Sequence, residues 1–278
     1  MKQSAIPISF IFRRVQSLTG FFLVLFLLEH LFTNSTAALF LDEGSFFVKS
    51  VTLFQSIPYL HVVEVVLIGI PIALHAFLGV RYIITGDLNS FKTDGRRPAL
   101  YQYKRNKAYS WQRITSYILA IGLVFHVVQM RFLDKPKKVI INNQATYFVK
   151  IKKDNKLEKL SKKMDIQIFS KDEVLNLDEN FQKIKLKETQ VLAFSKISGV
   201  AFLLEVRNTF KNPFMVGIYS IFVLAASFHA LNGFWTFLIT WGFIISNRSQ
   251  KISLGICFWI MLFIISLGFL SIWSSYLY

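Results

Sequence analysis

Cysteine is almost missing from this chain. Cys257 is the single cysteine among 278 residues. One cysteine excludes a disulfide within the chain, a cysteine-rich zinc site and an iron–sulfur cluster. No CxxCH motif occurs, which excludes covalent haem attachment of the c type. Cys257 lies in an apolar run, and we interpret it as a small packing residue.

Charges of both signs are absent from long parts of the sequence. Hydrophobic residues make up 53% of the chain, and the mean hydropathy is +0.45. Several apolar runs exceed the roughly 18–20 residues that a helix needs to cross a bilayer. They do not alternate as barrel strands do, so they predict helices. The predicted spans are about Val15–Ala38, Pro58–Thr85, Ser110–Phe132, Pro213 to an end between Trp235 and Ser246, and Ile252–Tyr276.

The basic residues follow the membrane topology. A formal net charge of +16 in a soluble protein would favour a nucleic-acid partner. Here lysines and arginines lie at the ends of the apolar runs and in one long loop, so anionic lipid accounts for them better, and no nucleic-acid partner is expected. Their alternation between short loops places the N-terminus in the cytoplasm and the C-terminus outside. Arg13 and Arg14 precede a run without a cleavage site, which predicts a retained first helix.

A lysine-rich segment separates the third span from the fourth. The predicted organisation is spans one to three in residues 1–132, an extramembrane insert in 133–211, and spans four and five in 212–278. Ala145–Lys152 and Asp165–Ser170 alternate apolar with polar residues, which predicts short strands. We interpret the insert as a solvated accessory loop, with a partner-binding or anionic-surface role as the alternative. The predicted fold class is an all-α membrane protein, a five-transmembrane-helix bundle with this small insert.

Four of the five histidines lie inside the spans. Ionisable side chains in a bilayer are costly and usually face the bundle interior for a functional reason. One such histidine is often only a hydrogen-bond donor between helices, but one on each of four successive helices favours metal binding. Two opposed neutral imidazoles are the axial ligands of a b-type haem. The sequence therefore predicts two haem b groups, held by His30, His75, His126 and His229.

Glycines accompany three of these histidines. Gly79, Gly122 and Gly233 each lie four residues from a histidine, on the same face of the helix. A glycine at this spacing is expected to let a flat ring approach the helix. Membrane helices are rich in glycine in any case, so the pattern supports haem binding only in part.

Depth in the membrane suggests how the histidines pair. His30 lies about 24 Å beyond Arg14 along an ideal helix, which places it in the outer half of the membrane. His126 is also in the outer half. His75 is close to the cytoplasmic face. The position of His229 is ambiguous, and it is left to pair with His75. An outer haem between His30 and His126 and an inner haem between His75 and His229 are predicted.

Other polar residues are candidates for supporting roles. At the cytoplasmic edge, the candidate propionate partners are Gln16, Ser17, Gln112 and Arg113, although helix caps and end charges explain them equally well. His61 and Glu64 lie near the outer end of the second span, and Glu64 falls within about 20° of His75 on an ideal helix. With Glu29 they form a hypothetical proton path to a quinone. The alternatives are an interfacial His61 and acids satisfied by neighbouring helices.

Four motifs occur in order along the chain: RRVQSLTG with His30 ten residues later, PIALHAFLG (Pro71–Gly79), WQRITSYILAIGLVFH (Trp111–His126) and FHALNGFWTFLITWG (Phe228–Gly242). With them the chain resembles the dihaem cytochrome b subunit of succinate:menaquinone oxidoreductase, the five-helix type of respiratory complex II. The resemblance covers most of the membrane portion. It implies a bacterial inner-membrane protein whose four axial ligands are the histidines above and whose acceptor is menaquinone. It also implies two cytoplasmic partners, a flavoprotein and an iron–sulfur protein, which alone carry FAD and iron–sulfur clusters.

Two departures from that family are visible. Gln16 stands where members often have histidine, and the insert is longer than usual, although AFLLEVRNTFKNP (Ala201–Pro213) looks family-like. The chain has no nucleotide-binding glycine motif and no flavin attachment, so no dehydrogenase site is expected in it. Open alternatives are the anchor of a fumarate reductase and that of a hydrogenase or formate dehydrogenase. A haem-free transporter would need internal repeats or broken helices, and neither is apparent.

Overall fold

Five helices of the computed structural model are long and apolar enough to cross a membrane. The structure describes residues 6–38, 40–86, 90, 100, 102–141, 143–177 and 179–277, without the side chains of residues 104, 179 and 180. The spans are Ile8–Ser35, Leu60–Thr85, Arg105–Leu133, Pro213–Thr240 and Asn247–Leu277. The prediction of an all-α membrane protein with five spans and a small insert is confirmed.

The helices are, in chain order, α1 Ile8–Ser35, α2 Ser45–Ser56, α3 Leu60–Glu64, α4 Ile70–Thr85, α5 Lys104–Val127, α6 Asn155–Met164, α7 Lys171–Val174, α8 Glu179–Gln182, α9 Ser198–Phe210, α10 Pro213–Thr240 and α11 Asn247–Leu277. A 3₁₀ turn at Asp42–Gly44 precedes α2. The strands are β1 Lys137–Ile141, β2 Gln144–Lys152, β3 Gln167–Phe169 and β4 Gln190–Ser195.

The fourth span ends where the chain reverses at a glycine. Gly242 has φ +78°, a left-handed conformation that glycine adopts without steric cost. The amide of Phe243 donates to the carbonyl of Leu238 at 2.9 Å, which closes the last turn of α10 in the manner of a C-terminal glycine cap. The apolar sequence continues beyond this point, but the helix does not.

The second span is not a regular α-helix. A π-helical turn at Val65–Gly69 separates Glu64 from His75. Because a π turn holds about one extra residue, it rotates the helix before it by roughly 100° relative to the helix after it. Glu64 and His75 are therefore offset by about that angle rather than by the small angle of a straight helix. A second π turn, at Val128–Leu133, ends the third span.

One compact unit comprises Met1–Phe32, His61–Leu123 and Ser220–Gly268. It contains most of every span. Its core lies where α1, α10 and α11 meet, at Leu31, Leu231, Trp235, Cys257 and Ile264. Small residues bring the helices close together: a Cβ at Gly268 would lie 2.6 Å from Cγ1 of Val223 on α10. Such close contact is a main source of helix association in lipid.

A second compact unit comprises Thr33–Leu60, Val124–Tyr219 and Phe269–Tyr278. It contains an antiparallel sheet with strand order β1-β2-β4-β3, in which β2 and β3 confirm the two predicted strand segments. Successive residues of β4 point to opposite faces of the sheet. Val191 and Ala193 join a core with α2, α6 and α9, whereas Leu192 and Phe194 join a core with Val174 of α7. The insert is thus a folded layer with two small cores, and the choice between an accessory and a partner-binding role stays a prediction.

Candidate haem site

His75 on α4 is held by polar groups of α1. Its Nδ1 lies 3.1 Å from the carbonyl oxygen of Gln16 and 3.3 Å from Oγ1 of Thr19. A carbonyl oxygen only accepts hydrogen bonds, so the ring hydrogen lies on Nδ1 and the lone pair on Nε2. The hydroxyl of Thr19 donates to the carbonyl of Val15 at 2.9 Å, which turns its oxygen lone pairs towards His75. The ring is therefore fixed in orientation, with Nε2 as the nitrogen that could bind a metal ion.

His229 on α10 is held by α5 in the same way. Its Nδ1 lies 3.2 Å from the carbonyl oxygen of Gln112 and 3.3 Å from Oγ1 of Thr115. The hydroxyl of Thr115 donates to the carbonyl of Trp111 at 2.9 Å. Gln112 is itself fixed, because its Nε2 donates to the carbonyl of His229 at 3.0 Å and its Oε1 accepts from Nδ2 of Asn232 at 2.8 Å.

These two arrangements share one pattern. A Gln-x-x-Thr segment on one helix faces a His-x-x-x-Gly segment on another. We call each set a histidine frame: the first is Gln16, Thr19, His75 and Gly79, and the second is Gln112, Thr115, His229 and Gly233. The repeat is visible in the sequence as QSLT and QRIT. The prediction from the sequence rested on the histidines and did not include the two threonines.

The frame glycines make room for glutamine side chains. A Cβ at Gly79 would lie 3.7 Å from Nε2 of Gln16, and one at Gly233 would lie 3.4 Å from Nε2 of Gln112. Gly20, beside the first frame, is more constrained, since its Cβ would lie 2.9 Å from Cε1 of His75. Gly122, which was expected to admit a flat ring beside His126, instead faces Phe222, and its Cβ would lie 2.5 Å from Cδ2 of that ring.

The two framed histidines lie next to each other. Their ring centroids are 6.2 Å apart and the ring planes are inclined by 78°. Two imidazoles bound to one metal ion through bonds of about 2 Å hold their centroids about 6 Å apart. The separation and the two Nε2 lone pairs therefore fit a bis-imidazole iron site. Among the described residues no group of three or more His, Cys, Asp and Glu side chains can hold a metal ion alone, but an iron porphyrin needs only two protein ligands.

Buried polar atoms without partners lie on α1 and α5, the two helices that hold the histidines. Oε1 of Gln16 and the Nε and Nη1 atoms of Arg113 are buried and have no hydrogen-bond partner among the described residues. Nη2 of Arg113 donates to the carbonyl of Ile83 at 2.7 Å. A buried guanidinium with two free N–H groups is a binding site for a carboxylate. The donors of Arg113 fit a haem propionate, the role predicted for Gln16, Ser17, Gln112 and Arg113, whereas the orphan Oε1 of Gln16 is an acceptor and does not fit a carboxylate.

Gln16 does more than was predicted for it. Its amide Nε2 lies 3.4 Å from Nε2 of His75, so the side chain contacts the imidazole directly while its carbonyl holds Nδ1. Ser17, the next residue on α1, is partly buried. Sequence analysis placed both residues at the edge of the site, and the structure places Gln16 in contact with His75.

His30 and His126 belong to different compact units. The His30 ring packs against Phe26, with ring centroids 5.4 Å apart. Nδ1 of His126 lies 3.3 Å from the hydroxyl of Tyr219, which donates to Oε1 of Gln129 at 3.2 Å. Tyr219 was not singled out from the sequence, because it lies outside the four motifs. The pairing of His30 with His126 stays a prediction.

The three residues assigned to a proton path differ in exposure. Glu29 and His61 are exposed, and Glu64 is partly buried. Glu64 also directly precedes the π turn of the second span, and π turns inside helices are frequent at functional sites. Their assignment to a proton path stays a prediction.

Comparison with known proteins gives one informative similarity. No family model matches the chain. The chain is 25% identical over 245 residues to the succinate dehydrogenase cytochrome b558 subunit of Bacillus subtilis (strain 168), an alignment that covers 88% of this chain and 86% of that protein. It therefore extends well beyond the four motifs. The chain is a multi-pass membrane protein that is similar, over most of its length, to a succinate dehydrogenase cytochrome b subunit.

Proposed function

We propose that the chain is the dihaem cytochrome b membrane-anchor subunit of a succinate dehydrogenase, and that it passes electrons from an iron–sulfur partner to menaquinone. The observation that carries the proposal is the pair of histidine frames, which present His75 and His229 to each other at 6.2 Å. A histidine with a purely structural role needs only one hydrogen bond to a neighbouring helix. Here two equivalent frames each hold the Nδ1 of one histidine and leave the Nε2 of that histidine as an acceptor.

These two histidines would hold the inner haem. Such a group would supply reversible one-electron transfer, which no amino-acid side chain of this site provides. His75 and His229 would bind its iron through Nε2. The carbonyls of Gln16 and Gln112 fix the tautomer and orientation of the rings, while the free N–H groups of Arg113 would bind a propionate.

The outer haem is assigned to His30 and His126. This part of the proposal rests on the depth of the two residues and on the motifs that contain them. The hydroxyl of Tyr219 supports Nδ1 of His126 as a frame carbonyl supports His75. Menaquinone is assigned to the outer half, with Glu29, His61 and Glu64 as its proton path.

Two partners are proposed at the cytoplasmic end, a flavoprotein with FAD and an iron–sulfur protein. Three arginines of different helices lie against aromatic rings in the unit that holds the frames: Arg14 over Trp241 at 4.8 Å, Arg81 over Phe12 at 4.8 Å and Arg105 over Trp235 at 5.8 Å. Basic residues at the cytoplasmic ends of spans follow the positive-inside rule. We therefore propose a bacterial inner-membrane protein with its N-terminus in the cytoplasm and its C-terminus outside.

The test is a reduced-minus-oxidised visible spectrum of the purified chain, together with haem content per polypeptide. We expect a b-type spectrum and about two haems per chain, falling to about one in His75→Ala. His61→Ala is the matched control, because His61 lies outside both frames, and it should keep both haems. A correctly inserted chain without haem would contradict the proposal and would favour a transporter or structural role.

The identity of the dehydrogenase is tested separately. Copurification of a flavoprotein that oxidises succinate supports a succinate dehydrogenase. Preferential fumarate reduction by the same complex would assign the chain to a fumarate reductase. Copurification of a hydrogenase or formate dehydrogenase would keep the haems and change the substrate.

A further inference from the structure

A cavity of about 410 Å³ lies in the unit that contains the insert, where the start of α6, the end of α9 and the end of α11 meet. Its polar lining includes Asp154, Lys156, Arg207, Lys211, Ser275 and Tyr276. None of these residues belongs to a histidine frame, and no role predicted from the sequence accounts for them.

The cavity carries an excess of positive charge. Asp154 caps α6 by accepting from the amides of Lys156 and Leu157, and it pairs with Arg207 through an Nη2–Oδ1 contact of 3.1 Å. Lys211 pairs with the other carboxylate oxygen. The lining thus combines three cationic side chains with one carboxylate, and a buried cation without full compensation is costly.

Arg207 is the buried centre of this group. It is only 4% exposed, and its Nε has no hydrogen-bond partner within the described part of the chain. Burial and the neighbouring charge of Lys152 lower the pKa of Lys211 to about 8. The orphan Nε of Arg207 indicates that Asp154 does not satisfy every cationic donor of the cavity. A planar guanidinium with a free N–H and two nearby ammonium groups is well suited to a phosphate.

The position of the cavity identifies the source of that phosphate. Ser275 and Tyr276 are close to the end of α11, which is the fifth membrane span. The end of a span lies at the level of the lipid headgroups, whichever way the chain is oriented. Tyr276 and Leu277 are exposed beside the cavity, an apolar and aromatic surface typical of the membrane interface.

We propose that this cavity binds the phosphate of an anionic phospholipid. Arg207 donates to the phosphate oxygens from within the cavity, and Lys156 and Lys211 bind it from the rim. The lipid thereby attaches the folded insert to the membrane at the end of the fifth span. This site is independent of haem binding and of the dehydrogenase partner.

The test uses the full chain in detergent, titrated with phosphatidylglycerol, phosphatidylcholine or inorganic phosphate. Bound lipid is counted by native mass spectrometry and the melting temperature is recorded. In Lys156→Gln/Lys211→Gln, which keeps Arg207 and its ion pair, we expect the affinity for phosphatidylglycerol to fall at least about tenfold. Lys159→Gln/Lys162→Gln is the matched control, since it removes the same charge from exposed positions of α6 outside the cavity.

Each outcome decides the proposal. Retained phosphatidylglycerol binding in the control and lost binding in the cavity variant support it, and a folded variant is verified by an unchanged haem spectrum. Equal losses in both variants, or equal binding of phosphatidylcholine and phosphatidylglycerol by the unmodified chain, overturn it. Stabilisation by inorganic phosphate without any by phosphatidylglycerol would assign the site to free phosphate and overturn the lipid assignment.

Discussion

Two threonine hydroxyls, those of Thr19 and Thr115, complete the polar contacts of the framed histidines. Each is buried, donates to its own helix and faces a histidine Nδ1. Partners that hold the non-ligating nitrogen of a metal-bound histidine typically contribute about 10- to 100-fold in metal affinity. The ligand residues alone therefore do not define the site.

Replacing either threonine by valine keeps the shape of the side chain and removes the hydroxyl. We expect Thr19→Val or Thr115→Val to weaken retention of one haem by about tenfold and to shift its midpoint potential. A spectroscopic redox titration of the purified chain measures both effects. Thr85→Val is the matched control, because Thr85 makes the same hydrogen bond to the carbonyl four residues earlier but faces no histidine nitrogen in the described contacts.

Gly20 is the position where a single methyl group should displace a ligand. Its Cβ would lie 2.9 Å from the His75 ring, closer than real Cβ contacts, so the ring must move. We expect Gly20→Ala to lower the haem content from about two to about one per chain. Gly217→Ala, where a Cβ meets nothing within 4 Å, should keep both haems. An unchanged haem content in Gly20→Ala would contradict the position of His75.

Glu205 on α9 couples the insert to pH. Burial and the negative charge of Asp134 raise its pKa to about 8. An acid whose pKa is higher in the folded than in the unfolded state stabilises the fold below its ordinary pKa and loses that contribution as pH rises. The melting temperature of the insert should therefore fall between about pH 5 and pH 8. Glu205→Gln should flatten this dependence, whereas an equally steep profile in the variant would exclude Glu205 as its cause.

At the scale of elements, hydropathy located the spans but not their irregularities. A π turn adds about one residue to a helix without changing its apolar character, so Val65–Gly69 left no trace in the pattern that placed Glu64 beside His75. The end of α10 was ambiguous for a related reason, since the residues after Gly242 are as apolar as those before it. The frames were predictable in principle, because both halves of the pattern lie within the quoted motifs.

The strand β2 was predicted from its alternation, and β4 was missed because both of its faces are covered. The burial of β2 alternates in part, whereas five successive residues of β4 are buried. A strand packed on both sides is a continuous apolar run that resembles a short helix segment. For this reason the sheet core, and with it the folded nature of the insert, was not apparent from the sequence.

The contact between α2 and α9 depends on Gly199. A Cβ at this position would lie 2.2 Å from the carbonyl oxygen of Val48, a backbone atom that cannot rotate away, and the Gly199 amide donates to Oγ1 of Thr52 at 3.2 Å. Gly199→Ala should destabilise the insert by about 1–3 kcal/mol, the usual cost of overpacking. Thermal unfolding measures it, and Gly217→Ala is again the control. An unchanged melting temperature would show that α2 and α9 can move apart to accommodate the added methyl group without loss of stability.

At the scale of the whole molecule, the proposed orientation places a lysine-rich folded insert outside the cell membrane. Long segments cross a membrane largely regardless of their charge, so the lysines do not oppose this orientation. Since Cys257 is the only cysteine, single labelling sites are readily made in a Cys257→Ser background.

In that background, a membrane-impermeant maleimide should label Lys162→Cys in intact spheroplasts. Arg248→Cys, in the first turn of α11, should react only after the membrane is opened. Labelling with the opposite pattern would reverse the orientation and move the insert to the cytoplasm. The haem spectrum of both variants serves as the folding control.

The histidine frames need very little sequence information. Eight positions specify both, and the contacts to Nδ1 that come from Gln16 and Gln112 use main-chain carbonyls, which any amino acid supplies. The other positions of these helices need only be apolar and allow the same close packing. A membrane protein built in this way should tolerate extensive divergence without moving its histidines. Because so few positions are fixed, the frame should be transferable. Two helix pairs that carry these eight residues should suffice to place paired imidazoles in an unrelated apolar helix bundle.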